Sequence, residues 1–212
     1  MIFWLLSMEN KFPINSLAYW NDRFENGSWS ERLGEGQSKF FMQLLISSLP
    51  SEIFANIFTD CKTILDFGSA LGQGCFELHK YSFNAEITGL DFAESAIEQA
   101  SEMYGHLGIK FRSTPLQFGI DKFDCLVTSN VLEHLSDWWK YLDLFTQVAQ
   151  KYIIILVPYQ TRILDEHVVS FNDNSFPDET NGFNKVFEKI IQCDDPRYWT
   201  EGQLLLIYQM VR

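Results

Sequence analysis

The feature that most constrains this fold is an alternation along the middle of the chain. Short apolar runs, "KTILDF" (62–67), "AEITGLDF" (85–92), "IKFRS" (109–113), "KFDCLVTSN" (122–130) and "KYIIILVPY" (151–159), read as strands. Residues 72–81, 93–105 and 138–150 between them read as helices. In 93–105, Ala96, Ile97, Ala100 and Met103 share one face, and Gly105 is a C-terminal stop. Strands joined by helices imply right-handed crossovers and a parallel sheet covered on both faces. Residues 160–182 are polar and loop-like. Residues 184–195 and 203–212 then read as two further strands, too close in sequence for a helical crossover, so they pair antiparallel. The expected α/β fold is a doubly wound, mainly parallel seven-stranded sheet ending in an antiparallel hairpin.

The N-terminal part reads differently. Residues 1–35 show no clean period of 2 or 3.6. From Gly36 to Leu49, Phe40, Phe41, Leu44, Leu45 and Leu49 recur at helical spacing, and Pro50 is a stop. The expected organisation is a cap segment and helix over 1–50 and the sheet over 51–212, together one structural domain.

The 212 residues suffice for one full core, and a hydrophobic share of 46%, with 19 Phe and 6 Trp, argues against disorder. A net charge of -12 and no Lys/Arg run disfavour nucleic acid as a partner. Cys61, Cys75, Cys125 and Cys193 form no C-x-x-C motif and no zinc-type spacing with histidine, so they read as buried or free thiols, and no metal is expected. The apolar start "MIFWLL" is far too short to span a bilayer and lacks signal-peptide features, so membrane insertion is not expected and a cytoplasmic protein is the default.

Chemistry enters at "ILDFGSALGQG" (64–74), a glycine-rich loop between the first strand and the first helix of the alternation. Open α/β sheets bind ligands at the carboxyl ends of their strands. The dinucleotide pattern G-x-G-x-x-G fails from either Gly68 or Gly72, and no G-x-x-x-x-G-K is present. Asp66 is an unwelcome neighbour for a pyrophosphate but suits a ligand with an ammonium and a sulfonium. Asp91 ends the second strand, where an acid takes two ribose hydroxyls; alternatively it caps the following helix.

"ILDFGSALGQG", "ITGLDFAESAIEQA", "FDCLVTSNVLEHL" and "YIIILVPY" resemble, in order and spacing, the class I S-adenosylmethionine-dependent methyltransferases, most closely the small-molecule branch with ubiquinone/menaquinone-type and sugar-modifying members. The resemblance covers roughly residues 60–160. It implies a Rossmann-like fold and S-adenosyl-L-methionine as cofactor. Asp66, Gly68, Ala70 and Gly72 would form the methionine-side loop and Asp91 would hold the ribose. Phe92, Ser113, Thr114 and Leu116 would frame adenine, and Asn130 would line the transfer site. Two departures stand out. Ala70 replaces a glycine of the family loop and should resist a positive φ. "FRSTPLQF" lacks the acid that the family often carries near adenine.

On the acceptor side, a hydroxyl needs a base. His134, just past the fourth strand, and His167, in the loop after the fifth, are the candidates, with Glu133 as an orienting carboxylate. His79 and His106 lie far from the strand ends and read as structural. Tyr19, Trp20 and Arg23 in the cap are candidate acceptor contacts, with Trp29, Arg32 and Gln37 nearby. The expected activity is O-methylation of a small polar molecule in sugar, surface-polysaccharide or secondary metabolism. The alternatives are a non-catalytic adaptor of the same fold and a nicotinamide-dependent oxidoreductase. The sequence is silent on oligomeric state.

Overall fold

The computed structural model describes residues 11–82, 84–116 and 121–211. Its sheet has eight strands: β1 (Thr63–Phe67), β2 (Glu86–Leu90), β3 (Lys110–Arg112), β4 (Phe123–Ser129), β5 (Ala149–Pro158), β6 (Glu179–Thr180), β7 (Phe183–Gln192) and β8 (Gly202–Met210). Their order is β3-β2-β1-β4-β5-β8-β7-β6. The first five strands pair parallel, whereas β8, β7 and β6 add antiparallel. The expected seven strands and terminal hairpin are present. The eighth is a two-residue strand pairing Thr180 with Phe183 across a tight turn, in which Asn181 and Gly182 both take positive φ. A strand this short carries no alternation to read.

Among the described residues seven α-helices surround the sheet: α1 (Leu17–Glu25), α2 (Ser28–Glu31), α3 (Gly34–Ser48), α4 (Ser51–Asp60), α5 (Gln73–His79), α6 (Glu94–Tyr104) and α7 (Trp138–Val148). The first two lie in the stretch expected to be irregular. Ser16 caps α1, its Oγ accepting the Tyr19 N–H at 3.2 Å. The buried face of α1 holds Tyr19, Trp20, Arg23 and Phe24, and two polar-tipped residues on that face break the apolar period. Pro50 ends one helical run and opens α4.

Side chains alternate across the sheet with period two and divide the core into two layers. Ile64, Val127, Ile154 and Leu205 face α3, α4 and α5, where Met42, Leu45, Ile57 and Leu78 cover them. Leu65, Leu126, Ile155 and Leu206 face α7, through Leu142, Phe145 and Val148, together with Phe171 and Phe176 of the late loop. A third cluster unites Tyr19, Trp20 and Phe24 with Ala70, Leu71, Ala93 and Ala96, seating α1 on the glycine loop and the start of α6. Each fully buried Leu, Ile or Phe contributes about 1.5–3 kcal/mol. The cap is thus part of the same packed body as the strand ends. All four cysteines are free and buried. Among the described residues no single helix is long and apolar enough to cross a membrane; α3 and α4 pass that test only as a pair bent by 111°.

Candidate active site

The carboxyl ends of β1, β2 and β4 open into one cavity of about 590 Å³, within the range of drug-sized ligand sites. Its floor is the loop after β1. Gly68 has φ +80, and a Cβ there would lie 2.3 Å from a methyl of Val131, so only glycine fits. The Gly68 and Ser69 N–H groups both donate to the Leu90 carbonyl, at 2.7 and 3.0 Å. Ala70 adopts φ 45 despite its methyl group. That conformation costs about 1–2 kcal/mol. It is offset by a hydrogen bond from the Ala70 N–H to Asp91 Oδ2 at 3.0 Å and by packing under Trp20. Gly72, at φ +85, starts α5 behind the floor and does not line the cavity.

Asp91 joins both halves of this floor. Its Oδ2 accepts from Ala70 and its Oδ1 from Ala93, each at 3.0 Å. Both readings of this residue meet here, because the Ala93 contact is a local cap on the way into α6. Backbone donors on both oxygens fix the carboxylate, and Asp91 lines the cavity. Burial raises its pKa while the backbone donors pull it down, with burial the larger effect.

Asp66 departs from expectation. It is only 3% exposed and lies beneath the loop rather than at the cavity mouth. The Cys75 thiol donates to its Oδ2 at 3.3 Å, and the missing Cβ of Gly74 leaves the room that carboxylate occupies. Burial pushes the Asp66 pKa up to about 7. Direct contact with a cationic ligand is therefore not what its position offers.

Phe92, Ser113 and Leu116 line the far wall, with Pro115 between the last two. Thr114 is exposed and does not line the cavity. Asn130 lines the opposite side at φ 54, its N–H held by the Leu156 carbonyl at 2.8 Å.

The roof comes from the cap. Trp20, Phe24 and Trp29 line the cavity. Tyr19 and Arg23, expected to touch an acceptor, instead turn to the loop after β5. The Tyr19 hydroxyl and an Arg23 guanidinium nitrogen both donate to Glu166 Oε1. Arg23 is 7% exposed and lies over the rings of Trp20 and Trp29 at 5.3 and 5.4 Å. Burial and the Glu166 carboxylate push the Tyr19 hydroxyl up to about 12, so it stays a donor. These two residues latch the roof down. Their acceptor was invisible in sequence because Glu166 lies far along the chain, in a polar loop without period.

His134 stands where roof and floor meet. Its Nδ1 lies 2.9 Å from the Glu166 carbonyl, which can only accept, so the proton sits on Nδ1 and Nε2 carries a lone pair. Trp20 meets the His134 ring edge-on at 5.3 Å. Burial lowers the His134 pKa to about 4, well below the range of an effective base at neutral pH. Glu133 is 1% exposed and outside the cavity lining, and its carboxyl is pushed up to about 8 by burial. His167 packs against the His134 ring at 5.3 Å and against Trp199 at 6.1 Å, and burial lowers its pKa.

Asn15 was missed by the sequence reading. Its Nδ2 donates to the carbonyls of His134 and Glu166 at 3.1 and 2.7 Å, which ties the segment before α1 to both candidate loops. Its Oδ1 and the Trp29 indole N–H are buried without partners, and both residues line the cavity. Lys140, Tyr141 and Leu144 of α7 also line it. Only a lone Asn before a helix and the amphipathic "WWKYLDLF" stand at these places in the sequence, and neither signals a site.

Comparison with known proteins agrees with this geometry. Residues 58–201 match the model of a methyltransferase domain family. No curated protein sequence matches the chain. Among solved structures, a chain of the complex between the Haloferax volcanii Trm112 methyltransferase activator and the putative methyltransferase superposes with a TM-score of 0.72 at 15% identity, over 91% of this chain and 97% of that one. Magnesium protoporphyrin IX methyltransferase from Synechocystis PCC 6803, with bound S-adenosylmethionine, gives 0.67 at 15% identity over 96% and 100%. The YcgJ protein of Bacillus subtilis gives 0.53 at 14% over 82% and 99%. With the family model spanning most of the chain, the Gly68–Gly72 loop and Asp91 at the strand ends, and this sheet order, the chain belongs to the methyltransferase domain family and is a class I S-adenosylmethionine-dependent methyltransferase.

Proposed function

We propose that the protein transfers a methyl group from S-adenosylmethionine to a hydroxyl of a small ring-bearing molecule, such as a sugar or an aromatic secondary metabolite. The observation that carries this reading is one cavity with two unlike ends. One end is a backbone-lined floor with the acid Asp91; the other is an aromatic roof beside His134.

At the first end, the backbone-held Asp91 carboxylate accepts from a ribose diol. Phe92 and Leu116 provide apolar walls for adenine, and Ser113 provides a hydroxyl at its edge. Gly68 and Ala70 allow close backbone approach to the methionine end, with Gly72 fixing the start of α5. Asp66 acts only through its field from below the loop. The cofactor supplies a methyl group on a sulfonium, an excellent leaving group. What remains for the protein is alignment and exclusion of water.

At the second end, Trp20, Phe24 and Trp29 stack on an acceptor ring. The free Asn15 Oδ1 accepts the hydrogen of its hydroxyl, His134 borders the same end, and Asn130 flanks the transfer point. Tyr19 and Arg23 hold the roof through Glu166 and do not touch the acceptor.

The test is transfer from S-adenosylmethionine to a panel of small phenols and ring alcohols against their amine counterparts, read as S-adenosylhomocysteine release. Turnover of hydroxyl acceptors over the amines is expected. Turnover of the amines alone would overturn the O-methylation reading.

A further inference from the structure

We propose that Glu133, His134 and His167 form a binding site for one divalent transition-metal ion beside the methyl-transfer cavity. One carboxylate oxygen and one ring nitrogen from each histidine lie within 4.8 Å of one another. Ligands on a zinc-type ion at about 2.0–2.2 Å sit closer together than this, so binding needs only a small inward movement of three side chains.

Three independent features prepare these groups. First, the His134 Nδ1–H is committed to the Glu166 carbonyl at 2.9 Å, which turns the Nε2 lone pair toward Glu133, 4.0 Å away. A ring N–H held by a backbone carbonyl is the usual support of a metal-ligating histidine. Second, Glu133 Oε2 is buried with no hydrogen-bond partner, in a side chain only 1% exposed. An unsatisfied carboxylate oxygen in that position is costly unless something cationic or a donor meets it. Third, the two segments carrying the ligands are bolted together. The Glu133 carbonyl accepts the Val168 and Val169 N–H groups at 2.8 and 3.1 Å, and the Asn15 amide bridges the His134 and Glu166 carbonyls. His167 is fixed further by its N–H to the Leu164 carbonyl at 3.0 Å and by Trp199. Linear spacing hides the cluster, because His167 belongs to a different loop.

Two imidazoles and one carboxylate favour zinc, iron, cobalt or nickel over magnesium or calcium. Three protein ligands leave positions open, and His134 borders the cavity. The catalytic consequence rests on the methyl transfer proposed above. As a Lewis acid the ion would ease ionisation of the acceptor hydroxyl. The O–H bond breaks and its proton passes to solvent, the O–C bond forms, and the S–C bond breaks with its electron pair remaining on sulfur.

The test is titration of the purified, metal-stripped protein with Co²⁺, followed by visible absorption and by equilibrium dialysis. S-adenosylhomocysteine binding and melting temperature are measured in parallel. One Co²⁺ per chain is expected, with d–d bands and no thiolate charge-transfer band. Glu133→Gln and His167→Ala should each weaken it at least about tenfold, since even outer-shell losses cost 10–100-fold, while both still bind S-adenosylhomocysteine. Absence of stoichiometric Co²⁺, a thiolate band from the free cysteines, or an affinity in either variant equal to that of the native protein would overturn the site. Cobalt binding without S-adenosylhomocysteine binding would support the metal site and overturn the proposed function; the reverse pattern would do the opposite.

Discussion

Glu166→Ala removes the latch of the roof, and its size follows from the burial of Arg23. In the native protein the guanidinium is 7% exposed and paired with a carboxylate whose side chain is 18% exposed. Deleting one partner of a buried pair costs about 3–5 kcal/mol, because the remaining charge is left uncompensated. The rings of Trp20 and Trp29 still face Arg23, each worth about 0.5–2 kcal/mol, which places the net loss near the lower end, about 3 kcal/mol. The Glu166 carbonyl bonds to His134 and Asn15 are backbone and survive the change. The loss should therefore appear as local opening of α1. Three kcal/mol corresponds to roughly a hundredfold in the opening equilibrium. Native-state hydrogen exchange reads this directly: amides of residues 17–25 should exchange about a hundredfold faster, with β4 and β5 unchanged. Unchanged exchange in α1, or equal acceleration in the central strands, would refute the latch.

Gly68→Ala should cost more than about 2 kcal/mol and abolish cofactor binding, because φ +80 is strained for alanine and its Cβ would overlap Val131; urea denaturation and calorimetric titration with S-adenosylhomocysteine check this, and a fully stable, binding-competent variant would disprove it. For Asp66 the folded pKa is raised from 3.8 to about 7, so its contribution to stability is fully present below pH 3.8 and is lost as pH rises through 7. At 1.36 kcal/mol per pH unit the loss is on the order of 4 kcal/mol. Asp66→Asn should thus gain stability relative to the native protein between pH 4 and 7.5 in urea unfolding, and a pH-independent difference would contradict its burial. Phe145→Ala, at a site with no exposure between the sheet and α7, should lower stability by about 3–5 kcal/mol in the same assay.

Much of this was legible in the sequence, for identifiable reasons. Strands buried on both faces leave continuous apolar runs, so β1, β4 and β5 announce themselves, and a short connection forces β7 and β8 antiparallel. That Gly68 and Asp91 lie at the strand-end cavity was legible because backbone conformation and a strand-end acid are local demands. Long-range partners were not. Arg23 and Tyr19 read as acceptor contacts because Glu166, which they grip, carries no local signal. Asp66 read as a direct partner of a cationic ligand, since sequence does not tell whether a side chain points over or under a loop. Ala70 read as a defect, yet the Asp91 carboxylate holds its N–H in the required conformation.

The central claim is that Asp91 and the Gly68–Ala70 loop form the floor of an S-adenosylmethionine site. The most direct measurement is calorimetric titration of S-adenosylhomocysteine into the native protein and into Asp91→Ala, with far-UV circular dichroism confirming that the variant is folded. One site per chain is expected in the native protein and at least about a hundredfold weaker binding in the variant, the equivalent of losing about 3 kcal/mol of charge-assisted hydrogen bonding and loop support. No binding by the native protein, or equal binding by a folded Asp91→Ala variant, would contradict it.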